Sequence, residues 1–172
     1  FGNRILFQDI NLKLDRHKRY GLIGANGAGK TTFLKILSGQ IDEYEGEINI
    51  ESGLKVGVLG QNQYAFEDYT IMDAVLYGNK RLYDAIKEKE ELYMSGDFED
   101  DAVNNRLADL EVICVEEDPT YEYDVNIAKI LENVGIPAEQ HQNLMSTLDN
   151  ADKFKVLLAQ VLYPKPDVLF LD

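Results

Sequence analysis

GANGAGKT, residues Gly24 to Thr31, fits the pattern G-x-x-x-x-G-K-[ST] and lies between an apolar run, Tyr20 to Ile23, and a helix-like stretch, Thr31 to Leu37. Two glycines, a lysine and a hydroxyl residue at fixed spacing, with a strand before and a helix after, read as a phosphate-binding loop rather than a glycine-rich turn. Gly24, Gly27 and Gly29 lack Cβ atoms, so the backbone can curl and aim successive N–H groups at phosphate oxygens. Asn26, Gly27, Ala28 and Gly29 would form the cradle. Lys30 would reach the β/γ-phosphates and Thr31 would set its hydroxyl on Mg²⁺, while the helix that starts here turns the positive end of its dipole toward the phosphates. Thr32 adds a second hydroxyl. The expected ligands are ATP and Mg²⁺.

Composition sets outer limits. At 172 residues the chain can bury a proper core and suits one domain, or one domain carrying a sub-domain. A formal net charge of −14 disfavours general attraction to nucleic acid, so any RNA contact would need a local basic patch. Cys114 is the single cysteine, which excludes an internal disulfide framework, fits a reducing compartment and reads as a small buried hydrophobe. No apolar run is long enough to span a membrane and no signal-peptide pattern is present, so the expected location is cytoplasmic, without membrane insertion. His17, in a basic turn, and His141, in a polar helix-end segment, read as solvated surface, and no Cys/His cluster points to zinc.

Outward from the loop, Ile10, Leu12 and Leu14 alternate with polar residues as a half-buried strand does, and residues 15–18 read as a turn. Tyr20 to Ile23 reads as the buried strand feeding the loop, and Gly39 as the cap of the following helix. Ile48 and Ile50, then Val56 and Val58, predict a hairpin about the turn at 51–54. Thr70 with Asp73 resembles a capping box. Helical stretches at about 81–94 and 99–115 flank Ser95, Gly96 and Asp97 as a helical hairpin. Further helices are expected at about 123–134, stopped by Gly135 and Pro137, and at about 151–162, stopped by Pro164 and Pro166. Val168 to Leu171 is a short apolar run that reads as a buried strand of a central sheet, and it ends in Asp172. A phosphate loop needs a carboxylate for its metal, and an Asp at the C-terminal end of a neighbouring parallel strand is the usual supplier.

FGNRILFQDINLKLDRHKRYGLIGANGAGKTTFLKILSG resembles the opening of an ABC-type ATPase domain, and NADKFKVLLAQVLYPKPDVLFLD resembles its signature helix and Walker B strand. The combination of RYGLIGANGAGKTT, VGVLGQNQYAFEDYTIMDAV, a helical insertion and VLLAQVL is similar to the first ATPase domain of the ABC-F proteins. The middle string, with GIPAEQH at 135–141, resembles their YbiT-type bacterial branch.

The resemblance implies an α/β P-loop NTPase domain with an antiparallel β sub-domain, a parallel core sheet and an inserted helical hairpin, the chain ending directly after Walker B. It divides the sequence into an ATP-binding core at 1–79, an arm-like hairpin at 80–124, and a helical sub-domain with Walker B at 125–172. It also implies that Phe1 is the adenine platform, that Gln61 is the Q-loop glutamine positioning Mg²⁺ and the attacking water, with Gln63 as its solvated neighbour, and that Asp172 joins Thr31 on the metal. The signature departs from the family. An ungapped reading puts Leu148, Asp149, Asn150, Ala151 and Asp152 where LSGGQ-like residues belong, and an Asp in the serine position would face a γ-phosphate with like charge. Ser146 could serve only across a three-residue bulge.

In the family two ATPase domains sandwich two ATP molecules, so a second ABC ATPase domain is the expected partner. The general base, a Glu, is expected after Asp172, and the isolated chain is therefore expected to bind nucleotide without turning it over. The long insertion points to a translation factor reaching ribosome-bound tRNA. Its acidic load argues against tight contact with RNA backbone there. The alternatives are the ATP-binding subunit of a membrane transporter and, third, an assembly module holding ATP as a structural element.

Overall fold

In the computed structural model, which describes residues 5–60, 62, 64–96 and 100–172, helices begin at the side-chain caps Thr70, Asn79, Asp100 and Asp149. The elements are α1 (Lys30–Leu37), β1 (Val56–Leu59), α2 (Ile71–Leu76), α3 (Lys80–Ser95), α4 (Asp101–Glu117), α5 (Tyr123–Asn133), α6 (Asn150–Leu162) and β2 (Val168–Leu171). Short 3-10 turns cover Ala138–Gln140 and Met145–Thr147. The chain separates into two compact units, Phe1–Ser52 with Asp172, and Gly53–Leu171.

In the first unit α1 is the regular element. Gly29 precedes it at φ 94°, and Gly39, at φ 73°, follows it with its N–H on the Ile36 carbonyl at 3.1 Å. Ile36 is buried, and the Phe7 ring meets Phe33 edge-on at 5.3 Å between centroids. The turn read at 15–18 forms at Arg16 and His17, and Arg16 bonds Glu51 at 2.6 Å. The strands read at 10–14, 20–23 and 48–50 do not form a ladder among the described residues. Ile10, Leu12, Leu14 and Tyr20 are exposed, and Ile23 is 95% exposed. Alternation says which side chains share a face, whereas a strand is held by its cross-strand neighbours, and none are paired here. The antiparallel β sub-domain is thus absent as a hydrogen-bonded sheet from the described residues.

The second unit holds the core. Thr70 caps α2, its Oγ1 accepting the Asp73 N–H at 3.0 Å. Ile71, Ala74, Val75 and Leu76 of that short helix are buried with Leu82 and Ala85 of α3, Leu110 and Cys114 of α4, Ile127 and Leu131 of α5, and Val156 and Ala159 of α6. Each such Leu or Ile contributes roughly 1.5–3 kcal/mol of burial free energy. Burial also pushes the Cys114 thiol pKa up, as suits a packing residue. Gly78, between α2 and α3, is required by closeness: a Cβ there would stand 2.0 Å from the Gln160 carbonyl oxygen of α6. The Gln160 side chain in turn donates to the Ala74 carbonyl at 2.6 Å.

The helical hairpin forms as read, with α3 running one residue further at each end and α4 shifted toward its C-terminus. Asn79 caps α3, accepting the Leu82 N–H at 3.2 Å and donating to Glu117 of α4 at 3.0 Å. Arg81 pairs with Glu116 at 2.5 Å and Glu117 at 2.8 Å, Lys89 with Glu111, and Arg106 with both Glu88 oxygens at 2.6 and 2.7 Å. These rungs run between the two antiparallel helices, whose buried contact is made by Leu82, Ala85, Leu110 and Cys114.

The hairpin expected about 51–54 is replaced by a different pairing. β1 runs parallel to β2, with Val56 opposite Val168 and Leu59 opposite Leu171. The buried positions of β1 are Gly57 and Leu59, not Val56 and Val58, because Gly57 sits against Val161 and Pro166. His141 is buried rather than solvated, its Nε2 3.0 Å from the Ile136 carbonyl oxygen. No helix among the described residues is long and apolar enough to cross a membrane.

Candidate functional site

The loop before α1 takes the backbone conformation its glycines permit. Gly27 and Gly29 stand at φ 79° and 94°, in the left-handed region, and the Ala28 N–H closes a turn onto the Ala25 carbonyl at 3.1 Å. The first N–H groups of α1 have no partner within the helix and carry the positive end of its dipole. Lys30 Nζ donates to the Gly24 and Ala25 carbonyls at 2.9 and 3.0 Å, so the ammonium lies over the loop it belongs to. Asn26, Gly27 and Ala28 are exposed at the turn, and Thr32 is half-buried within α1.

Thr31 Oγ1 donates to Asp172 Oδ1 at 3.0 Å. Two residues read from separate ends of the sequence as metal partners are therefore in hydrogen-bonding contact. One hydroxyl and one carboxylate suit Mg²⁺, which keeps several waters and binds through one or two carboxylates plus substrate phosphates. Among the described residues no cluster of three or more His, Cys, Asp or Glu forms an all-protein metal cage. An ion here would rest on Thr31, Asp172 and the phosphates. Phe1, Gln61 and Gln63 lie outside the described residues.

Asp149 is the N-cap of α6, its Oδ1 accepting the Asp152 N–H at 2.8 Å. The Asp149 carboxylate, which the ungapped reading sets against the signature serine, is thus occupied with starting a helix. Ser146 lies in the 3-10 turn ahead of it, and its N–H bonds the Glu67 carbonyl at 3.2 Å. The Thr147 hydroxyl is turned to the Leu144 carbonyl at 2.6 Å.

One contact was not read from the sequence. Lys153 of α6 is buried, with Nζ 2.5 Å from Glu67 Oε1. Lys153, Val156, Leu157 and Gln160 share one helical face, so a lysine in an otherwise core-facing stripe was the available signal of a buried partner.

The sequence matches the ABC transporter family over residues 7–172. It is 44% identical over all of its 172 residues to an uncharacterized ABC transporter ATP-binding protein, YkpA, of Bacillus subtilis, and 40% identical over all of them to the probable ATP-binding protein YbiT of Escherichia coli O157:H7. It is 29% identical over 98% of its length to the energy-dependent translational throttle protein EttA of Haemophilus influenzae. The chain spans 32% of the length of the first two relatives and 30% of the third.

Proposed function

We propose that this chain, which belongs to the ABC transporter family, is the first ATP-binding domain of an ABC-F type ATPase whose ATP-dependent closure acts on the ribosome. The Thr31–Asp172 hydrogen bond carries the nucleotide half of this reading, because it joins the phosphate-loop hydroxyl to the carboxylate at the end of a parallel strand. The similarity to the translational throttle protein EttA supports the ribosomal half.

In this reading residues 1–79 are the ATP-binding core, 80–124 the arm-like hairpin and 125–172 the helical sub-domain with Walker B. The loop N–H groups and Lys30 hold and orient the β- and γ-phosphates, and the α1 dipole favours their charge. Thr31 and Asp172 would hold Mg²⁺, which would neutralise phosphate charge. Phe1 stacks on adenine, and Gln61 positions water and metal. A second ABC ATPase domain supplies the opposing face, and closure of the pair takes place in the cytoplasm. The hairpin meets its partner with 15 Asp and Glu against 5 Lys and Arg over residues 80–124, a balance that favours basic surfaces over bare RNA backbone.

The test is nucleotide titration of the intact protein. Lys30→Ala is expected to remove one ATP site from the stoichiometry, and Asp172→Asn to weaken Mg-ATP roughly tenfold or more while leaving metal-free ATP nearly unchanged. Undiminished Mg-ATP binding in both variants would sink the nucleotide assignment. Failure of the intact protein to co-sediment with ribosomes in ATP would sink the ribosomal one alone.

A further inference from the structure

We propose that Glu67 and Lys153 are positioning residues, a clamp that fixes the segment Ser146 to Asp152 and thereby sets turnover at the nucleotide this segment would face. The proposal rests on the ABC-F reading above.

Lys153 is 6% exposed, and its stem lies in the core-facing stripe of α6. Its ammonium reaches Glu67 Oε1 at 2.5 Å and stands 5.2 Å from the centroid of the Tyr64 ring. Glu67 acts at a second atom as well, since its backbone carbonyl accepts the Ser146 N–H at 3.2 Å. One residue therefore grips both the turn ahead of α6 and the helix itself. Its neighbours extend the grip: the Tyr69 carbonyl accepts the Met145 N–H at 2.9 Å, Thr70 pairs with Leu144 in an antiparallel bridge, and the Ile71 N–H bonds Asn143 at 2.9 Å.

An apolar pair of similar volume would hold α6 about as firmly as a largely buried ion pair, because removing two charges from water costs much of what their attraction returns. What the ion pair adds is direction. The Lys153 ammonium meets the Glu67 carboxylate, and that contact holds Glu67, whose carbonyl in turn holds the Ser146 N–H. The Asp149 carboxylate is occupied at the α6 cap and the Thr147 hydroxyl at Leu144, so the height and angle of the segment depend on the strand-like contact with residues 67–71.

The experiment uses the intact protein with Lys153→Met, Lys153→Arg, Glu67→Gln and the double variant Glu67→Leu/Lys153→Met. Amide hydrogen exchange at Met145 and Ser146 reads the clamp directly, and steady-state kinetics read its consequence. Lys153→Met is expected to speed exchange at Ser146 and to lower kcat roughly ten- to hundredfold with little change in KM for ATP, as a displaced positioning segment does. Glu67→Gln is expected to do the same more weakly, and Lys153→Arg to retain most of kcat. The double variant guards against simple unfolding: it is expected to keep the wild-type thermal midpoint and still show fast exchange and low kcat. A folded double variant with wild-type exchange and wild-type kcat would overturn the proposal. Wild-type protein lacking Lys30-dependent turnover would count against the enzymatic reading instead, and the exchange measurement would still decide the clamp.

Discussion

Asp149 Oδ1 accepts the Asp152 N–H at 2.8 Å, so Asp149 is the N-cap of α6. A cap satisfies one of the helix's first unpaired donors, and its negative charge suits the positive end of the dipole. Asp149→Ala is therefore expected to destabilise the protein by about 1 kcal/mol. Asp149→Ser should retain most of that stability, because a serine hydroxyl caps nearly as well. Urea unfolding of the two variants beside wild type checks this, and an Asp149→Ala midpoint equal to wild type would contradict the capping role.

Gly78 approaches the Gln160 carbonyl more closely than any other residue type could. A methyl group there would lie 2.0 Å from that oxygen and 3.1 Å from the Val75 carbonyl oxygen, and both are backbone atoms that cannot rotate aside. Gly78→Ala must separate α2 from α6, at a cost of about 1–3 kcal/mol or more. The Gln160 to Ala74 hydrogen bond at 2.6 Å should loosen with it. A lowered denaturant midpoint at unchanged slope is the expected result, and an unshifted midpoint would show that the helices can part freely.

The helices were legible because their signals are local. Thr70 sits at a cap, Gly39, Gly96 and Gly135 sit at or just past helix ends, and the helices fall within two residues of where the sequence places them. The strands were legible only in part. Val168–Leu171 was correctly located, but Val56–Leu59 was assigned to a local hairpin when its partner lies across the whole insertion. Sequence alternation carries no information about a partner that far away. The glycine-rich loop and Asp172 stand out in the sequence as a spaced motif and a strand-end carboxylate, and the Thr31–Asp172 hydrogen bond links the two. The Glu67–Lys153 pair does not, since neither residue belongs to a motif. His141 departs from its sequence expectation for a related reason: a polar neighbourhood in sequence says little about a ring whose nitrogen meets Ile136 in the interior.

Tyr83 links this packing to alkaline pH. Its phenol is pushed up to about 12, first by burial and then by the neighbouring Tyr69, with Asp73 adding to the shift and Lys87 opposing it. Tyr163 is likewise raised to about 12, by burial and then Asp118. An unfolded tyrosine ionises near pH ~10. Between those values the folded chain holds protons that the unfolded chain has released, so stability is fully present below about pH 10 and falls as pH rises toward about 12. Tyr83 packs against Tyr69 and Tyr77 with ring centroids at 5.8 and 5.2 Å, so phenylalanine can keep the ring contacts while removing the titrating group. Tyr83→Phe is expected to lower stability little at pH 8 and to flatten the decline above pH 10, with Tyr83→Phe/Tyr163→Phe flattening it further. Denaturant midpoints measured from pH 8 to 11.5 give the slopes directly, and slopes equal to wild type in both variants would rule these two phenols out as the source of the alkaline loss.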